Sequence, residues 1–344
     1  MSATRDEIAE QPAVLDRLLR REVGAVADIV AALDRQPPTY VVLVARGTSD
    51  NAARYAQFLF GWLARLPAAL ASPSLHTLYG TPPRYHGALV IGISQSGASP
   101  DVVSVIDEAT RQGCVTVAVT NEPASPMGAA ARHAIDLGAG KERAVAATKT
   151  YTASLGAIAA LVTRIARDSD RTAELARMPG FLASQLELGS AVERAVTLAA
   201  GWTRGGVIGR GANYSTAFEV ALKIKELTGV AAEPYSPADF LHGPVAVVGP
   251  DYPVIALAPT GATFANVSHA LDEVRRRRGR AVVVSDDPAL AREDEAWLPL
   301  VTVPEWLSPL VAVVPGQLLA VGLAERRGLD VDQPFGLSKV TRTT

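Results

Sequence analysis

Cysteine is nearly absent from this sequence. Of 344 residues only Cys114 carries a thiol, so no disulfide can form within the chain and a stapled secreted scaffold is excluded. Cys114 opens the run Cys-Val-Thr-Val-Ala-Val, where it reads as a small buried hydrophobe in a strand. Net charge is scarce as well, −2 at neutral pH, which argues against a nucleic-acid surface. The four consecutive arginines Arg275 to Arg278 read as a solvated helix end just before a strand. Five histidines are scattered along the chain and no pair has metal-ligand spacing, so neither a metal nor a cofactor is expected. His76, His86, His133 and His269 read as structural. The first residues, Met-Ser-Ala-Thr-Arg-Asp-Glu, are polar and do not make a secretory leader. No uninterrupted apolar run reads as long enough to span a bilayer. A cytoplasmic protein without a membrane partner is expected.

Hydrophobic residues, by contrast, make up 48% of the chain and charged residues 20%. That is enough for a large core, and the length fits two domains of ordinary size. Tyr40–Ala45, Ala88–Ile93 and Cys114–Val119 are continuous apolar runs followed by turn or polar residues. Continuous rather than alternating apolar character belongs to parallel strands buried on both faces. Helical stretches such as Asn51–Leu63 and Asp101–Gln112 lie between them, a βαβ succession. The same grammar restarts after residue 200 with Gly206–Gly209, Val254–Ala258 and Ala281–Val284. The reading is an α/β protein of two doubly wound domains. A helical arm covers residues 1–35, the first domain 36–168, a helical connector 169–195, the second domain 196–325 and a closing tail 326–344.

The two halves differ in chemistry at matching places. After its second long strand the first half reads Ser94-Gln95-Ser96-Gly97-Ala98-Ser99-Pro100-Asp101, and the second reads Pro259-Thr260-Gly261-Ala262-Thr263. Ser99 with Pro100 and an acid behind it is a helix start. Backbone N–H groups there lack internal partners and carry partial positive charge. Hydroxyls of Ser94, Ser96 and Ser99 add donors without bulk, and Thr48 and Ser49 at the neighbouring strand end could face the same crevice. This spells a phosphate cradle without the lysine of a nucleotide P-loop.

A second constellation lies further on. Glu219, Lys223 and Glu226 fall at i, i+4 and i+7, on one face of a helix. Leu241-His242-Gly243-Pro244 sets a histidine on a turn. Moving a proton between two sugar carbons calls for a carboxylate base and a ring-opening acid–base. A lysine can add a Schiff base with a ketose.

Gly47-Thr48-Ser49, Ile93-Ser94-Gln95-Ser96-Gly97 and the order of elements resemble the sugar isomerase (SIS) domain, a flavodoxin-like module that binds phosphosugars. Glu142 to Thr150 resembles that family's loop lining the sugar site. Within the family the chain is most similar to the isomerase half of glucosamine-6-phosphate synthase and to the stand-alone glucosamine-6-phosphate deaminases. The resemblance implies two flavodoxin-like doubly wound parallel-sheet (SIS) domains in tandem. It implies substrate contacts from Thr48, Ser49, Ser94, Gln95, Ser96, Ser99, Glu142, Val145 and Ala146. Glu226 would be the base, Lys223 its charged neighbour, and His242 the ring-opening group reaching the site from a second subunit of a homodimer with a shared active site. Asp332-Gln333-Pro334 and Leu337-Ser338-Lys339-Val340-Thr341 look like the synthase's closing segment, which makes Lys339 the lysine that binds the open-chain ketose. Two positions depart from the pattern: Ala147, where the family often has serine, and Ala98, where an acid is common.

The synthase's glutaminase domain has no counterpart here. The function implied is conversion of an amino-sugar phosphate such as glucosamine 6-phosphate to fructose 6-phosphate and ammonia. A fructosamine-type phosphate deglycase and a non-catalytic phosphosugar sensor are the alternatives.

Overall fold

Strands form where apolar residues follow one another, because a strand covered by helices on both faces has no side left for polar residues. In the computed structural model, which describes residues 2–339, β1 (Tyr40–Val44), β2 (Ala68–Leu70), β3 (Ala88–Ser94), β4 (Val115–Thr120) and β5 (His133–Asp136) make one sheet. All neighbours in it are parallel, in the order β2-β1-β3-β4-β5. β6 (Arg204–Ile208), β7 (Ala231–Tyr235), β8 (Val254–Leu257), β9 (Ala281–Ser285) and β10 (Ala296–Pro299) make the other, also parallel, in the order β10-β9-β8-β6-β7. Counted from the first strand of each, both orders are 2-1-3-4-5, the flavodoxin-like order. The α/β class with two such sheets in tandem is the one expected from the sequence.

Each sheet anchors its own compact unit. The first unit consists of Gln11–Glu142, Lys149–Pro179 and the segment that begins at Ser338; the second consists of the residues up to Glu10, Arg143–Thr148 and Gly180–Leu337. In the first unit β3 and β4 are buried along their whole length, and Cys114 is buried beside them, as read. The Lys149–Ile165 helix is the unit's apolar axis, buried over most of its length, with the Gln11–Arg21 helix packed on it. Thr152 Oγ1 donates to the Gln11 side chain across that contact.

In the second unit the N-terminal residues do fixed work. The Glu7 carboxylate accepts from the amides of Arg143 and Ala144, and the Asp332 carboxylate accepts from those of Ala3 and Thr4. Burial alone would push the Asp332 carboxyl up, but these donors outweigh it and hold the group below its ordinary value. The connector region holds the helices Ser169–Ala176 and Met178–Gln185 and the start of Ser190–Ala199. The arginine run ends the Phe264–Arg276 helix before β9. Arg275 is not solvated, however: its side chain is 8% exposed and pairs with Glu295 at 2.7 Å.

Glu305–Arg326, with a mean hydropathy of 1.8, is long and apolar enough to cross a membrane by composition, but 89% of its most apolar window is buried. A helix apolar on all sides suits a protein interior equally well. The Ser308–Arg326 part packs along the Asn213–Thr228 helix. Gly316 makes that approach possible, since a Cβ there would run into the Val220 methyls, 2.9 Å from Cγ1. Gly316→Val should therefore overpack the seam and cost about 1–3 kcal/mol. A urea midpoint equal to that of the parent protein would refute the contact.

Candidate active site

In the first unit the ends of β1 and β3 lie side by side, and the strand order reverses between them. Doubly wound folds bind ligands in the crevice at such a point. Two helices start there, Gly47–Trp62 after β1 and Pro100–Arg111 after β3. Ser94, the last residue of β3, is buried beside Thr120 of β4. Its Oγ accepts from the Gly97 amide at 3.1 Å, and Ser96 Oγ accepts from the Ala98 amide at 3.4 Å. A hydroxyl that accepts from the backbone keeps its own proton to donate. Ser99 has the extended conformation of an N-cap, yet its side chain makes no capping bond. Gly97 has φ +60°, and a Cβ there would fall within Ser125, so the tight loop requires glycine. Thr48 and Ser49 sit, half-buried, in the first turn of the other helix.

Sequence reasoning passed over Arg46, although it stands directly before the Gly47-Thr48-Ser49 motif. Its Nε lies 2.6 Å from Asp101, whose side chain is fully buried, while the guanidinium is half-exposed. The acid that reads as a first-turn helix residue thus holds a cation at the mouth of the cradle.

Asn121 was missed as well. Its amide donates to the Gln95 carbonyl at 3.2 Å, and its side chain holds Ala139 N and Gly140 O, each at 2.8 Å. This ties the cradle loop to the segment leading into Glu142. The Glu142 carboxylate is buried. Its Oε1 accepts from the Thr150 amide at 3.2 Å and its Oε2 from the Thr150 hydroxyl at 2.7 Å. Lys339 Nζ reaches the same Oε2 at 3.1 Å. Lys339 is the last described residue; Val340 and Thr341 of the tail motif lie outside the described residues.

The remaining candidate residues belong to the second unit. Val145 N donates to the Asp332 carbonyl at 3.1 Å. Ala146 is buried in the core that includes Ile8. On the Asn213–Thr228 helix Glu219 and Lys223 are fully buried. Lys223 Nζ lies 3.4 Å from Glu219 and 2.5 Å from Glu226. Burial pulls the Lys223 ammonium down, but the two carboxylates together outweigh it and its pKa ends above the ordinary value. Glu226 is about a quarter exposed and faces an open groove of about 420 Å³, with Gly229, Asp330, Gln333 and Phe335 among its lining. His242 caps the short Pro237–Leu241 helix, exposed. Among the described residues no hydrogen bond or ion pair joins it to Glu226. Nor do any three of the described His, Cys, Asp and Glu residues gather so as to hold a metal ion.

The family model for the SIS domain matches residues 38–164 and 202–324. Glutamine--fructose-6-phosphate aminotransferase [isomerizing] of Gloeobacter violaceus is 36% identical over 97% of the chain, and the chain spans 57% of that protein's length. A crystal structure from Silicibacter pomeroyi DSS-3, of a protein assigned to the phosphosugar isomerases, is 33% identical with a TM-score of 0.89, covering 96% of this chain and 100% of that one. The C-terminal domain of glucosamine-fructose-6-phosphate aminotransferase from Francisella tularensis is 26% identical with a TM-score of 0.87, covering 97% and 98%.

Removing a buried charge from a matched set leaves the others uncompensated. Lys223→Met should accordingly cost about 3–5 kcal/mol at neutral pH, measured by urea unfolding. Because pairing raises the folded-state pKa of Lys223 above the free value of 10.5, its contribution is complete below that pH. It fades only as the pH climbs through the raised value. The gap between parent and variant should therefore stay flat through neutral pH and narrow in strong alkali; a gap that already narrows as the pH rises through neutral would contradict the pairing.

Proposed function

The chain belongs to the SIS-domain family, and on that premise we propose that it is a phosphosugar isomerase whose reaction releases ammonia from an amino-sugar phosphate. The observation that carries the reading is the pairing of Lys339 with the buried Glu142 in the same unit as the serine cradle. A phosphate group needs donors and positive charge. The Ser94 and Ser96 hydroxyls, the two helix starts and the half-exposed Arg46 guanidinium supply them. An imine-forming amine needs an acceptor for its proton, and Glu142 Oε2 at 3.1 Å is one.

The chemistry then runs on this chain's own groups. With glucosamine 6-phosphate in its open form, Glu226 takes the C2 proton and returns it to C1 while a proton of the amine passes to O1, which turns the C2 amine into an imine and the aldehyde into a hydroxymethyl group. The Lys339 amine adds at C2 and displaces ammonia, and water then releases fructose 6-phosphate and the free lysine. Glucosamine 6-phosphate and water thus become fructose 6-phosphate and ammonia. The Lys223 ammonium, 2.5 Å from Glu226, steadies the carboxylate. The exposure of His242 suits a ring-opening group offered to a second copy of the chain, so the working form proposed is a homodimer.

The purified protein, without added metal or glutamine, should release ammonia and fructose 6-phosphate from glucosamine 6-phosphate in equal amounts. Glu226→Gln should lower turnover by about 10²–10⁴-fold while phosphosugar binding persists, and Lys339→Ala should abolish both products. Phosphosugar binding without any product would overturn the ammonia-releasing reading. Fructosamine-type phosphates would then be the substrates to assay, and a sensor role would follow if they too are inert.

A further inference from the structure

The second unit repeats the plan of the first, so it owns a second loop at the place where the first unit has its cradle. There β8 runs through Ala258 and Pro259 into Thr260-Gly261-Ala262-Thr263 and the Phe264–Arg276 helix. In the first unit the loop amides of Gly97 and Ala98 meet neutral serine hydroxyls. In the second they meet carboxylates. Thr260 gives its amide and hydroxyl to the two oxygens of Asp286, at 2.7 and 2.6 Å. Ala262 N donates to Glu305 Oε2 at 2.8 Å, and Thr263 gives its amide and hydroxyl to Glu305 Oε1, at 3.2 and 2.8 Å. The Glu305 carboxylate straddles this loop as two oxygens of a bound oxyanion would. Gly261 has φ +148°, and a Cβ on it would lie 2.5 Å from Glu305 Oε2, so the loop is shaped around its occupant.

We propose that Glu305, seconded by Asp286, fills the second loop with the chain's own negative charge and so confines phosphosugar binding to the first unit. The inference rests on the reading of the first loop as a phosphate cradle. Two effects act together. The donors that a phosphate would need are already used, and a phosphate approaching them meets two carboxylates of its own sign. Glu305 comes from outside the loop, 43 residues beyond Ala262, at the start of the Glu305–Leu307 turn. It is a specificity-determining residue and has no part in the chemistry proposed above.

The test counts bound inorganic phosphate per chain by equilibrium dialysis with the radiolabelled ion. Glu305→Ala should bind one more phosphate per chain than the parent protein, at a concentration where the parent is saturated. Should Glu305→Ala fail to fold, Glu305→Gln takes its place in the same count: it keeps the side chain's volume and removes its charge. An unchanged count in whichever variant is folded overturns the proposal. The two readings fail separately. A parent that binds no phosphate refutes the cradle of the first unit, while a gain of one phosphate in the variant still upholds the role of Glu305.

Discussion

Where a parallel strand gives way to a helix, backbone N–H groups are left without partners inside the helix and must find an acceptor. The kind of acceptor found at each such place organises this molecule. After β3 it is a pair of serine hydroxyls, neutral groups that can pass a donor outward. After β8 it is two carboxylates, which end the matter. At the start of the Lys149–Ile165 helix it is Glu142, whose second oxygen then has Lys339 as company. One recurring need, met in three ways, separates an open cradle, a filled loop and a held amine.

Charge follows the same economy of partners. Asp101 and Glu142 are both buried acids at or near helix starts, where the helix dipole favours them, and each faces a cation that is partly exposed, Arg46 or Lys339. In the second unit the arrangement is inverted: the buried cation Lys223 sits between Glu219, fully buried, and Glu226, partly open to solvent. In each cluster the group with access to solvent is the one assigned to a substrate, and the buried partner fixes its position. A buried ion pair is poor evidence of stability by itself, and here the cost of desolvation goes into orientation.

The central strands were legible because burial on both faces leaves a long apolar run, as in Ala88–Ile93. The edge strands β2, β5, β7 and β10 were not. Ala68–Leu70 spans only a few half-buried residues, and Ala231–Tyr235 carries Glu233 and Pro234. Edge position relaxes the demand for apolar residues that makes a strand visible. The serine loop could be read from its residues and the Glu219–Lys223–Glu226 face from its spacing. The partners of these groups could not. Arg46 and Asp101 are 55 positions apart and Glu142 and Lys339 are 197 apart, and no local pattern joins residues so distant. Glu305 was invisible for the same reason: it matters through amides of a loop 43 positions before it.

The interleaving of the units along the chain has a consequence for biosynthesis. The segment bearing Lys339 belongs to the first unit but follows the whole of the second, so it leaves the ribosome only after Gly180–Leu337 has been made. Until then the first unit has Glu142 but not the amine that its Oε2 pairs with. A chain whose translation stops before Lys339 carries the serine loop but never gains the amine. Under the assignment of Lys339 to the chemistry, activity cannot precede the synthesis of a segment that lies beyond the whole of the second unit.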